Sequence, residues 1–300
     1  MKRFLGLFLI AFSFYVEARV LIMTHSHNRP DFIKIQYDCF KKFLHDDYQF
    51  VVFNDGRSGE MAHEIKSMCK SLGLRCVRIP QEIHDRAYLK RESHESFNNA
   101  NTRCANVVQY SLNTMGFEHD GLVMIIDSDM FLVKDFSVET YLKGSAMAGV
   151  RQSNGHVYFF WNGLVFFNMN ALPDKTSINF NCGTVDGKPT DVGGYLYYYL
   201  KEHPGLPLRD IDCLHTTALL CEACKATPDI ACTHNTESLH SLHFTPRTMQ
   251  LMHEGIHNVE FLADRAFFHY RGGTNWDQKS SEYHQRKTSL FNGYMRDILR

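Results

Sequence analysis

The chain has 300 residues and a mass of 34.8 kDa, and 44% of its residues are hydrophobic against 22% charged. At this size folding buries about two-thirds or more of the unfolded surface, and the composition excludes intrinsic disorder, collagen-like repeats and coiled coils. Lys and Arg number 32 and Asp and Glu 33, a formal net charge of -1, so nothing invites a nucleic-acid backbone or an anionic membrane surface, which attract clustered positive charge.

Lys2 and Arg3 lead into an apolar run from Phe4 to Val16, and Val16-Glu17-Ala18 offers small residues to a signal peptidase. The run is shorter than the roughly 20 residues of a membrane span. Residues 1–18 therefore read as a signal peptide or a short uncleaved anchor, with a buried strand or helix as the structural alternative. Such a leader implies the secretory pathway or export. Residues 19–300 read as one domain.

Arg19 to Thr24 is a short apolar run stopped by turn residues, the pattern of a buried parallel strand. Pro30 opens a helix, where its missing N–H costs nothing. Phe32, Ile35, Cys39, Phe40 and Phe43 form its apolar stripe. Tyr48 to Phe53 is a second strand ending in Asn54-Asp55-Gly56. Ser58 caps a second helix with Met61, Ile65, Met68 and Leu72 inside and Gly73 past its end. Arg75 to Ile79 is a third strand. Strand–helix alternation of this kind predicts an α/β fold, a three-layer sandwich around a mainly parallel mixed sheet.

Asp85 to Phe97 reads as a loop and Asn98 to Met115 as a helix carrying Arg103. Gly121 to Ile126 is a strongly apolar strand, ended abruptly by Asp127-Ser128-Asp129. Further strands are expected at Ala146–Val150, Val157–Phe160 and Leu164–Asn168, then a Tyr-rich helix from Asp191 to His203. Residues 205–260 read as irregular, His-rich and Cys-rich. Phe267 to Tyr270 is a last strand and Tyr283 to Leu299 a closing helix. Cys213, Cys221, Cys224 and Cys232 suit disulfides in an oxidising compartment; a zinc site with His234 is the alternative. Cys39, Cys69, Cys76 and Cys104 fall on apolar positions, where cysteine acts as a small hydrophobe.

The carboxylate pair carries the chemistry. In open α/β sheets ligands bind beyond the carboxyl ends of the strands. Asp127 and Asp129, at such an end, can jointly face a hard divalent cation that keeps positions open for phosphate oxygens. A diphosphate leaving group needs that neutralisation. The structural alternative is a solvated turn bearing two acids. His269, followed by Arg271-Gly272-Gly273, can approach a cation that two aspartates hold.

A strand followed by Asp-x-Asp, after a β-α-β-α-β opening that starts near VLIMTHSHNRP, resembles the GT-A glycosyltransferases. Phe160-Trp161-Asn162-Gly163 resembles the Asn-x-Gly strand of family 8 of those enzymes, with the intervening residue absent. Phe268 to Trp276 resembles that family's His-x-x-Gly-x-x-Lys-Pro-Trp ending, without its Lys and Pro. The resemblance implies a Rossmann-like nucleotide-binding half and a nucleoside diphosphate sugar donor. It also implies a glycan, protein or lipid acceptor, and Mn²⁺ or Mg²⁺ held by Asp127, Asp129 and His269. Thr24, Asn54, Asp55, Arg103, Asp127, Asn162, Gly163, Arg271 and Gly272 would line the donor site, and Lys279 is a second candidate for the missing positive charge. Asp191 would be the catalytic carboxylate, unless it serves as an N-cap. Two other functions compete: a haloacid-dehalogenase-type phosphatase with Asp127 as nucleophile, and a secreted, non-catalytic sugar-binding protein that uses the aromatic residues near Tyr158 and Tyr197.

Overall fold

The computed structural model describes residues 19–85, 100–215, 259–273 and 280–300. In chain order the strands and helices are β1 (Val20–Ser26), α1 (Pro30–Phe43), β2 (Tyr48–Asn54), α2 (Gly59–Ser71), β3 (Arg75–Arg78), α3 (Glu82–Asp85) and α4 (Ala100–Ser111). Next come β4 (Leu122–Ile126), β5 (Met130–Leu132), α5 (Val138–Leu142), β6 (Met147–Asn154), β7 (Val157–Asn168), β8 (Gly183–Val185), β9 (Lys188–Thr190) and α6 (Leu196–Glu202). The chain continues through β10 (Leu208–Asp210), β11 (Cys213–His215), β12 (Glu260–Leu262) and β13 (Phe267–His269) to α7 (Ser281–Leu299).

Seven strands form the main sheet in the order β10-β6-β7-β4-β1-β2-β3. β3, β2, β1 and β4 run parallel, while β7 is antiparallel to both β4 and β6. Successive side chains of a strand point to opposite faces. Val20 and Ile22 accordingly join a cluster with Phe32 and Phe40 of α1, Ile65 of α2 and Phe291 of α7, whereas Leu21 and Met23 join Val107 and Val108 of α4 and Leu196 and Leu200 of α6. Helices thus cover both faces of the sheet, the three-layer arrangement that the alternating elements imply. Among the described residues no helix is long and apolar enough to cross a membrane.

Several local expectations are corrected. The expected strands at Val157–Phe160 and Leu164–Asn168 are one continuous strand, β7, whose register against β6 shifts between Gly149, opposite Val165, and Val150, opposite Trp161. Asn162 and Gly163 lie in that irregularity. The last strand is present as β13 and lies with β5, β12 and β11 in a separate four-stranded antiparallel sheet. β10, β11 and the first residue of β12 fall inside the stretch expected to be irregular. On α1, Ile33 is buried and Ile35 only partly so. α4 gives way at Leu112–Gly116 to a single π-helical turn. The cysteines at 221, 224 and 232, His234, Trp276 and Lys279 lie outside the described residues, as do residues 1–18 and 86–99.

Candidate metal centre

β4 is buried along most of its length and ends at Ile126, beneath the Asp127-Ser128-Asp129 turn. The turn is tightly held. The Asp127 N–H donates to the Gly163 carbonyl at 2.8 Å and the Met130 N–H to the Asp127 carbonyl at 3.2 Å. Gln36, on the buried face of α1, donates through Nε2 to the carbonyls of Asp127 at 2.8 Å and Met130 at 2.9 Å. On the far side, the Tyr270 N–H donates to the Asp129 carbonyl at 2.8 Å and the Gly273 N–H to Asp129 Oδ2 at 2.9 Å. The second bond needs a sharp turn of the chain, and Arg271 and Gly272 supply it with φ of 44° and 66°, the left-handed region that only glycine enters without strain. A Cβ on Gly273 would meet Asp129 Cβ at 2.9 Å, so glycine is required there as well.

The antiparallel pairing of β13 with β5 sets His269 opposite Met130. Its Nε2 lies 3.5 Å from Asp129 Oδ1, its Nδ1 lies 2.9 Å from Glu260 Oε2, and the Trp161 ring centroid is 5.2 Å away. Asp127, Asp129 and His269 each offer one ligand atom, and these atoms all lie within 4.8 Å of one another. Among the described residues this is the one such grouping. Asp127 is half-buried and the other two are buried.

Charge in this enclosure is poorly solvated. Burial, with the neighbouring Asp129 charge added, pushes the Asp127 carboxyl up to about 7, although His269 pulls the other way. Burial also acts upward on Asp129, but its hydrogen bond to His269, that ring's charge and the Gly273 N–H outweigh it, and the carboxyl ends below its ordinary value. Burial would lower His269; its bonds to Asp129 and Glu260 prevail and raise it to about 9. Two carboxylate oxygens and one imidazole nitrogen suit a divalent ion such as Mn²⁺ or Mg²⁺, the nitrogen favouring the softer of the two.

The other expected residues lie around this centre in different ways. Asn162 is buried and donates through Nδ2 to Cys104 Sγ at 3.2 Å. Gly163 gives the indole of Trp161 its place, since a Cβ there would come within 2.0 Å of a ring carbon. Asp191 is half-buried and its Oδ1 accepts from the Val192 N–H at 2.8 Å. Helix α6 starts five residues later with Tyr195 as its N-cap, so Asp191 caps nothing; its charge adds to the upward push on Asp127. Thr24 is buried, with no bonded partner for Oγ1.

Asn54 bridges backbone groups, donating to the Ala62 carbonyl at 2.7 Å and accepting from the Gly56 N–H at 3.0 Å. The Arg103 guanidinium forks onto Asp55, with Nε to Oδ2 at 2.6 Å and Nη2 to Oδ1 at 2.7 Å. His84 Nε2 also reaches Asp55 Oδ1 at 2.9 Å. Burial acts upward on the Asp55 carboxyl, but these partners and His27 hold it well below the usual carboxylate range. Any phosphate role for Arg103 has to draw it away from that pair. Arg271 Nη1 donates to Glu260 Oε1 at 2.9 Å and its side chain is 44% exposed.

Gln36, Glu260 and Lys287 were not singled out by the sequence. Lys287, buried on α7, donates to the carbonyls of Tyr270 and Arg271, each at 3.0 Å, and so ties the closing helix to the turn that carries Gly273.

No protein-family profile and no curated protein matches the sequence. Solved structures with a similar course of chain include the galactosyltransferase LgtC in complex with donor and acceptor sugar analogues, 11% identical over 91% of this chain and 95% of that one, with a TM-score of 0.40. The mannosyltransferase PcManGT from Pyrobaculum calidifontis, in complex with GDP-Man and Mn²⁺, is 14% identical over 65% of this chain, with a TM-score of 0.38; the chain spans 55% of its length. Glucosyl-3-phosphoglycerate synthase from Mycobacterium tuberculosis is 12% identical over 64% of this chain and 69% of its own, with a TM-score of 0.36. At such values the function has to be read from the residues of the site.

Proposed function

We propose that this protein is a metal-dependent glycosyltransferase that moves a sugar from a nucleoside diphosphate sugar to an acceptor hydroxyl. One observation carries the reading: two aspartates one residue apart and a histidine far from them in sequence converge at the carboxyl end of a central parallel strand, with ligand atoms within 4.8 Å. Their positions follow from buried strands and bonded turns, so the arrangement exists before any ligand arrives, which is what electrostatic catalysis requires.

Asp127, Asp129 and His269 would hold Mn²⁺ or Mg²⁺. Such an ion, when bound, neutralises the charge that develops on a departing diphosphate. The chain's own groups do the remainder. Trp161, against His269, and Gly163 beside it shape the floor where a sugar ring would lie. Asp191, whose charge acts on Asp127, would accept a proton from the acceptor hydroxyl or stabilise positive charge at the anomeric carbon. The Arg271 guanidinium, 44% exposed and paired through Nη1 with Glu260, would have to meet the diphosphate with its remaining N–H groups.

Thermal unfolding with a panel of nucleoside diphosphates, with and without Mn²⁺, tests the reading, because a ligand that binds only the folded state raises the melting temperature. The expected result is a rise of several degrees for one nucleotide, present only with Mn²⁺ and lost in Asp129→Ala. A rise that needs no metal, or that survives Asp129→Ala, would overturn it.

A further inference from the structure

We propose that Glu260 is the positioning residue of the centre: it orients the His269 ring and dictates which nitrogen faces the cation. The proposal deepens the metal-binding reading above and rests on it. Glu260 opens β12 and is the register partner of His269 across the antiparallel β12–β13 pair, and directly opposed residues of such a pair project to the same face. The side chain is 7% exposed. One oxygen, Oε2, contacts His269 Nδ1 at 2.9 Å, and the other, Oε1, accepts from Arg271 Nη1 at 2.9 Å.

An ionised carboxylate only accepts hydrogen bonds, so the Nδ1 that meets it carries the proton. That leaves Nε2, on the Asp129 side of the ring, to offer its lone pair. Both Glu260 oxygens are engaged, which separates this residue from the ligand set. The Arg271 guanidinium lies against the other oxygen and offsets the carboxylate's charge. Outer carboxylates of this kind fix the tautomer and direction of ligating imidazoles, and their loss typically weakens metal affinity 10- to 100-fold.

The experiment is calorimetric titration of Mn²⁺ into the full chain, Glu260→Gln, His269→Ala and the double variant. Electron spin-echo spectra of bound Mn²⁺ report nitrogen coordination alongside. We expect nitrogen coupling in the wild type and an affinity loss of about 10- to 100-fold in Glu260→Gln. The same substitution should change affinity less than about twofold in the His269→Ala background, since sites that act through one another are non-additive. A wild type that binds no Mn²⁺ overturns the metal reading itself. A wild type that binds, with Glu260→Gln unchanged or equally damaging without His269, overturns the role of Glu260 alone. If Glu260→Gln does not fold, long-range ¹⁵N spectra of the Mg²⁺-loaded wild type decide: a proton on Nδ1 of His269 supports the proposal and a proton on Nε2 defeats it.

Discussion

A cation at the proposed centre would compete with protons for the same atoms of Asp127 and His269. The His269 ring, raised to about 9, and the Asp127 carboxyl, raised to about 7, both have to release a proton before they can ligate. Apparent Mn²⁺ affinity should therefore fall about tenfold for each unit of pH lowered between 9 and 7, and more steeply below 7. Titrations at pH 6, 7 and 8 read this directly; an affinity constant across that range excludes the assigned ligands. The aspartates were legible because an apolar strand stops dead at them. Gln36 left a fainter trace, a polar residue at helical spacing among Phe32, Cys39 and Phe40, where only a bonded group is tolerated. Glu260 and Lys287 left none, since their partners are backbone and side chains that only the folded chain brings near.

Elements were readable wherever burial was complete on both faces. β4 is a continuous apolar run and β1 and β2 each hold four consecutive apolar residues, and α1 and α2 carry Pro and Ser start signals that the structure uses. In the sequence Asn162-Gly163 splits the apolar run of β7 in two; the interruption is an irregularity that turns the chain beside Asp127, as such features often do near functional sites. The three-residue strands β5, β11 and β12 are too short to show any period, whereas β13 is marked by its apolar Phe267-Phe268. The turn between β12 and β13 holds Ala263, Asp264 and Arg265 at φ of 52°, 55° and 65°, left-handed values that strain side chains with a Cβ. Arg265 is exposed, and Arg265→Gly should stabilise the fold by about 1 kcal/mol, a rise of roughly 2 °C in melting temperature. A melting temperature that drops would show that the turn carries no strain.

At the scale of the molecule, the closing helix is part of the centre's support. Lys287 reaches the 270–271 backbone from α7, and burial lowers its ammonium to about 7, only partly opposed by Asp129. In the unfolded chain a lysine keeps its proton to about 10.4, so between 7 and 10 the unfolded state binds more protons and folding gains from this group as pH rises. Lys287→Met lacks that gain. Its melting temperature relative to wild type should fall between pH 7 and pH 9.5, as paired calorimetric scans would reveal; a constant difference refutes the neutral, buried lysine.

Asp129 and His269 stand 140 positions apart along the chain and meet through the pairing of β5 with β13. Contacts of such long loop closure are slow to form. Neither the emerging polypeptide nor a collapsed intermediate without that pairing presents the complete ligand set. An ion held by Asp127, Asp129 and His269 would therefore be captured only after β5 and β13 have paired.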